Sequence, residues 1–441
     1  GTMQSTLVPF DIDISKQIVP GKTNVIDVAI KGSYYAIDHK PGELDRSRNQ
    51  PRVEEFLKYL KWIDCTWPTG KGGGDSIQTG LIRPVKLIVT GPARVEDVFV
   101  QTRVRDMRLD AQVELHSTSE KPLSAVLKAE AVNDRTGSVE KTFEPATVAL
   151  KPGGPTVARI GGAWPEAKLW WPSESILDMP TCYRLRTTLS VGGKPVDVRE
   201  ILFGFRELGV DGRHVTVNGV RYRPHCWNAL SGPTGQMGGT ALEDYFRWND
   251  RGVRMEGGVH TEFYDRNGIP GRLSMTWEGM FGQVAMENPR MWENWKLHTA
   301  QMVRAYRNSP SVWHWAIGNE VQMITARLFF GDRLGKLERQ MYEVYEVAKK
   351  LDPTRTVSED GAGDLGGLGD STNWHYVTGE YKVPREFYEY TIGEPSAKRE
   401  YVDYQTLNRW DGKRPLIQGE EMYFAGMGNF AWFGGPSVYR G

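Results

Sequence analysis

Cysteine is scarce in this chain: Cys65, Cys182 and Cys226 are the only three among 441 residues. They are far apart and odd in number, which argues against a disulfide framework and against a thiolate zinc motif. Long apolar runs are missing too, since none approaches the roughly 20 residues of a membrane-spanning helix. Neither sign of charge is in surplus: 55 Lys and Arg balance 55 Asp and Glu, and the two are interspersed. Nothing therefore nominates nucleic acid or a membrane surface as a partner. The glycine run Gly70-Lys71-Gly72-Gly73-Gly74 lacks the GxxxxGK[ST] order and a preceding strand, and reads as a loop rather than a phosphate cradle. No His/Asp cluster has ligand spacing, so neither a metal nor another cofactor is expected. Gly1-Thr2-Met3 reads as a tag scar with no signal peptide after it, and the chain is expected to begin inside a domain, which leaves the compartment open.

What is present is length enough for two to four domains and a sizeable core. Tryptophan is abundant, at 15 residues; core packing accounts for most of such a count, and platforms for the apolar faces of sugars are the other use. The stretch Ser311-Val312-Trp313-His314-Trp315-Ala316-Ile317-Gly318-Asn319-Glu320 is a short apolar run ending on an amide and an acid. It is too short for a buried helix and rich in β-branched and aromatic residues, so it reads as a strand. Trp292, Trp295, Thr299, Met302, Val303 and Tyr306 before it recur at helical steps, with Asn288-Pro289 as the start signal and Asn308-Ser309-Pro310 as the stop. Helix, tight turn, strand and strand-end carboxylate is the arrangement of a βα-barrel active site.

In chain order, residues 7–31 read as two alternating strands joined at Pro20-Gly21, a polar Gly-rich passage follows to Gly80, and Pro84 to Val89 resumes as a strand. Between Ala93 and Phe205 some seven short strands fit an immunoglobulin-like sandwich. Val215 to Val217, a turn at Asn218-Gly219 and Val220 to Trp227 then lead into alternating strands and helices. The strands are Gly252 to Met255, Arg272 to Trp277, the Ser311–Glu320 run, Arg355 to Ser358, Ser371 to Tyr376 and Pro415 to Glu420. The helices are Thr261 to Asp265, the one before Asn308, one from Leu334 to Leu351 and one around Arg399 to Trp410. Repeated βα units imply a parallel sheet, and seven of them a barrel.

Two of those strands end on an acid, Glu320 and Glu420. All strand C-termini of a barrel open on one face, so residues a hundred positions apart can meet there. Cleaving a glycosidic bond takes such a pair, one carboxylic acid to protonate the leaving oxygen and one carboxylate to attack the anomeric carbon. A single strand-end glutamate is more commonly just solvated; two, on strands four and seven, carry the inference.

On these residues the chain resembles glycoside hydrolase family 2, the group of β-galactosidases, β-glucuronidases and β-mannosidases. The resemblance runs through Phe10-Asp11-Ile12-Asp13, Gly21-Lys22-Thr23-Asn24 and Gly80 to Val85. It continues through Leu169-Trp170-Trp171-Pro172, Tyr183-Arg184-Leu185, Phe203-Gly204-Phe205-Arg206 and Val217-Asn218-Gly219. Asn319-Glu320 and Pro415 to Glu420 are its most specific elements. It implies a multidomain fold of class β plus α/β. Residues 1–92 would be the C-terminal part of a sugar-binding jelly roll, 93–206 an immunoglobulin-like β-sandwich, and 207–441 a (β/α)8 TIM barrel. Asn429 to Phe433 is a candidate eighth strand, with the family's usual last strand expected beyond Gly441, so the chain is expected to be a piece of a longer protein.

The resemblance further implies a retaining, exo-acting β-glycosidase. Glu320 would be its acid/base, Glu420 its nucleophile and Asn319 the partner of the sugar's 2-hydroxyl. Arg254 would steady the nucleophile's charge, although it could instead pair with Asp250 or Glu256. Tyr376 would hydrogen-bond the nucleophile. His375 and Trp374 either line the pocket or pack beneath it, and Trp277 with Glu278 lines the pocket or binds a cation. Glu421 competes with Glu420 but would face the other way along a strand. The partner is a carbohydrate or glycoside, self-association stays open, and the sugar is not identified. The rival expectation is a non-catalytic carbohydrate-binding or scaffold relative.

Overall fold

The computed structural model describes residues 8–29, 81, 84–224, 252–256, 261–274, 289–319, 321, 332–360, 365, 367–375 and 410–420. From Ala93 the chain alternates apolar and polar residues, and it folds as eight antiparallel strands in two sheets. One sheet has the order β1 (Ala93–Arg103), β2 (Arg108–Ser117), β6 (Pro155–Ala163). The other runs β4 (Val139–Thr142), β3 (Leu123–Asn133), β7 (Tyr183–Val191), β8 (Lys194–Phe203), with β5 (Ala146–Leu150) also paired to β3. Alternation dictates which side is buried: Leu109, Ala111, Val113 and Leu115 of β2 and Ala125, Leu127, Ala129 and Ala131 of β3 enter one shared core. Trp164 fills its end, edge-on to Tyr183 at 4.7 Å and to Phe205 at 5.7 Å.

Three expectations need correction. Residues 8–29 hold the turn at Gly21, but form no strand, and neither do residues 84–89. Their alternating side chains are exposed, Val25 at 81% and Val89 at 86%, and no strand among the described residues pairs with them to use the pattern. Conversely, β4 and β9 (Leu208–Asp211) form without an apolar pattern, as edge strands borrowing register from β3 and β10. Asn218 and Gly219 both have positive φ, 53° and 78°, which is the turn that best joins β10 (His214–Val217) to β11 (Val220–Arg221).

The second unit is the barrel. A parallel sheet runs β12 (Val253–Glu256), β13 (Gly271–Ser274), β14 (Val312–Asn319), β15 (Thr356–Asp360), and a parallel pair joins β16 (Thr372–His375) to β17 (Leu416–Glu420). Between them lie α1 (Thr261–Asn267), α2 (Pro289–Tyr306) and α3 (Asp332–Leu351). The apolar stripe of α2 packs as its spacing predicts, with Trp292, Trp295, Met302, Val303 and Tyr306 buried against Trp315 and Ile317 of β14 and Val344 and Ala348 of α3. All eight residues of β14 are buried, as befits a strand sandwiched between helices and a barrel interior. The helix expected near 399–410 and the eighth-strand candidate at 429–433 lie outside the described residues.

The two units lock at the turn before β14. Asn308 uses its side-chain amide as a ladder rung on β1, accepting from Val100 N at 2.8 Å and donating to Val98 O at 2.7 Å. Arg206 reaches the carbonyls of Pro310, Ser309 and Val312, and Arg355 those of Ser309 and Val312. A Cβ on Gly204 would lie 2.7 Å from Pro310 and 2.8 Å from Trp170, so only glycine lets the backbones approach this closely.

Candidate active site

The parallel registers bring the strand C-termini to one face. Glu256 is level with Ser274, Ser274 with Ala316, Asn319 with Asp360, and His375 with Glu420. Two strands bulge just before this face: β14 spends three steps, Ala316 to Asn319, where β15 spends two, and β17 spends an extra step opposite Trp374/His375. Bulges at a barrel rim re-aim the side chains that follow them.

Beneath the rim the barrel interior is polar and charged. Arg272 and Asp360, fully or nearly fully buried, pair at 2.6 Å between Nη1 and Oδ1, reaching over β14 from β13 to β15. Asn373 of β16 donates to the same Asp360 oxygen at 3.3 Å and so links the two parallel sheets. Level with Arg272, His314 bridges Thr356 Oγ1 at 2.8 Å and Ser358 Oγ at 2.9 Å. Burial pushes its imidazole down to about 3, so it is neutral in this layer, with one ring nitrogen donating and the other accepting. On the outer side of the same strands Trp315 Nε1 donates to Asp352 Oδ2 at 2.9 Å. Burial works against the Asp352 carboxylate, yet the adjoining Arg355 and the donors Thr354 and Trp315 hold it below the usual carboxylate range.

Asn319 sits as expected at the end of β14, 4% exposed and level with Asp360. Glu420 ends β17 level with His375, Trp374 is level with Gln418, and Arg254 of β12 is level with Arg272; for these four the backbone is described. Glu320, Tyr376, Trp277, Glu278 and Glu421 lie outside the described residues. Sequence reasoning missed Arg272, His314, Glu359, Asp360 and Asn373. A signal existed for two of them: Thr356-Val357-Ser358-Glu359-Asp360 is another strand that ends on acids.

The chain matches the family model for glycosyl hydrolases family 2 over residues 93–206 and that for the family's TIM barrel domain over residues 273–435. It belongs to glycosyl hydrolases family 2. Among curated proteins, one of Formosa agariphila bearing the name "Putative beta-glucuronidase" is 24% identical over 298 residues, which is 57% of this chain and 26% of that protein. Two solved structures share the fold of this family 2 member. Beta-glucuronidase 2 of Bacteroides uniformis, covalently bound to cyclophellitol-6-carboxylate aziridine, has TM-score 0.53 and 16% identity over 74% of this chain and 41% of that one. A beta-galacturonidase of Eisenbergiella tayi bound to galacturonate has TM-score 0.54 and 17% identity over 75% of this chain and 57% of that one. The chain thus spans about a quarter of the curated relative and roughly half of each solved one.

Proposed function

We propose that this chain carries the catalytic centre of a retaining, exo-acting β-glycosidase that releases terminal β-linked uronic acids. The observation that supports it is the pair of barrel strands, β14 and β17, whose C-terminal ends run into Glu320 and Glu420 within the span matched by the family's barrel model. The uronic acid is suggested by the names of the three relatives above, each a glucuronidase or galacturonidase. The division into 1–92, 93–206 and 207–441 belongs to the same proposal.

In this reading Glu420 attacks the anomeric carbon while Glu320 protonates the departing oxygen, giving a covalent glycosyl-enzyme. Glu320 then takes a proton from water, which displaces Glu420 with a second inversion. Asn319, buried at the rim beside Asp360, holds the 2-hydroxyl, a contact that strengthens as the oxocarbenium-like state develops. Arg254 and Tyr376 steady the nucleophile, and His375, Trp374 and Trp277 shape the pocket.

The test is a panel of p-nitrophenyl β-glycosides: glucuronide, galacturonide, galactoside and mannoside. One of the uronides should turn over fastest, and Glu320→Gln and Glu420→Gln should each lower kcat/KM by several orders of magnitude, roughly 10³-fold or more. Near-parental rates in either variant would remove that residue from its role. Sugar-induced thermal stabilisation without turnover would select the carbohydrate-binding reading instead.

A further inference from the structure

The residues on either side of the proposed acid/base meet two adjacent residues of β15, one by register and one by a side-chain hydrogen bond. Asp360 is level with Asn319, the residue before Glu320. Glu359, fully buried, accepts the backbone N–H of Val321, the residue after Glu320, through Oε1 at 2.7 Å; Val321 is itself fully buried. This second contact lies past the last pair of the ladder, Asn319 with Asp360, which itself follows the bulge between Ala316 and Asn319. A backbone N–H given to a buried carboxylate is a short, strong hydrogen bond, and it restrains the rotation of the peptide plane on the C-terminal side of the residue before it. Neighbouring residues of a strand face opposite ways, so Asp360 can serve the interior ion pair with Arg272 while Glu359 serves the chain leaving β14.

We propose that Glu359 is a positioning residue for the proton transfer. Its carboxylate fixes the peptide that follows Glu320 and so sets where that acid stands relative to the glycosidic oxygen. This rests on the reading of Glu320 as acid/base. In this role Glu359 acts through the backbone N–H of Val321 and not on the reacting atoms themselves. A catalytic group must be held to within a fraction of an ångström, and a displacement of about 1 Å costs about 10²-fold in rate.

The distinguishing readout is dependence on the leaving group. A phenolate departs poorly unless protonated as the bond breaks, whereas a 2,4-dinitrophenolate departs without that help. Phenyl and 2,4-dinitrophenyl glycosides of the fastest sugar in the panel are therefore compared in the parent, Glu359→Leu, Glu359→Gln and Glu320→Gln. Glu359→Leu should lower kcat/KM for the phenyl glycoside at least tenfold more than for the dinitrophenyl glycoside. Glu359→Gln keeps an oxygen to accept the Val321 N–H and should restore most of the difference. Hydrogen exchange at the Val321 amide should quicken at least tenfold in Glu359→Leu and stay slow in Glu359→Gln. If Glu359→Leu gives no cooperative melt, Glu359→Asp, whose carboxylate is one methylene short of Val321, takes its place with the same expectation.

Equal loss on both glycosides, or unchanged exchange at Val321, overturns the positioning role. If Glu320→Gln shows leaving-group dependence and the Glu359 variants do not, this inference fails alone. If Glu320→Gln shows none, the acid/base reading has failed and the inference goes with it.

Discussion

Asp265 shows how much one buried carboxyl can say. It belongs to α1 and is 2% exposed, yet its Oδ1 accepts from Ser309 Oγ at 2.5 Å and from Ser311 N at 3.0 Å, at the turn that launches β14. Burial pushes the carboxyl up to about 6, against those donors, with the charge of Glu262 adding to the rise. The folded state therefore holds a proton that the unfolded chain has released, and it binds more protons between about pH 4 and pH 6. Stability should fall as pH rises through that window, by on the order of 3 kcal/mol from this group. Asn at this position keeps an oxygen for Ser309 and Ser311 and has no proton to lose. Urea melts of the parent and Asp265→Asn across pH 4–7 should show the slope in the parent and a flatter profile in the variant. An unchanged slope in the variant would place the pH dependence elsewhere.

Among the elements, the strands legible in the sequence were those that turn one face into the sandwich core, central β2, β3 and β7 and edge β1, β5, β6 and β8 alike, because burial is what enforces alternation. Residues 8–29 and 84–89 carry the pattern with no paired strand among the described residues and form no strand themselves, while β4 has the partner without the pattern. The candidate site divides similarly. Asn319 and Glu420 could be picked out because each ends its own strand. Asp360 also ends a strand, β15, but its meaning, like that of Arg272 and Asn373, lies in a contact made across the barrel between three strands distant in the chain, which no local pattern encodes. Such a pair also behaves differently when half is removed than when it is replaced. Arg272→Met leaves the Asp360 carboxylate buried without its cation and should cost about 3–5 kcal/mol, whereas Arg272→Met with Asp360→Leu should recover a large part of that loss. Chemical denaturation of the two variants checks this. Equal destabilisation would mean that the site gains nothing from being neutralised as a unit.

At the scale of the whole molecule, the sandwich is a brace for the base of β14, the strand whose far end leads to the proposed acid/base. Asp97 of β1 forms an ion pair with Arg307, and Arg304 reaches Asp97 at 3.5 Å and Glu114 of β2 at 3.1 Å. Trp170 Nε1 donates to Asp265 O at 2.8 Å, and Asn308 adds its rung to β1. Because the turn at 308–311 is shared, strain in the sandwich reaches β14 directly, and the two units should unfold together. Asn308→Ala tests that coupling at its narrowest point. It removes the partners of one N–H and one carbonyl on β1, each worth about 1–3 kcal/mol when left unsatisfied in a buried setting. The parent should give a single calorimetric transition, coincident by far-UV and near-UV circular dichroism, because the ring environments of Trp164 in the sandwich and Trp295 and Trp315 in the barrel are lost together. Asn308→Ala should lower the midpoint and separate the two signals, with the barrel tryptophans and the sandwich strands melting at different temperatures. A single transition at the parental midpoint would show that the rung contributes nothing to the junction and that the sandwich does not brace β14 through it.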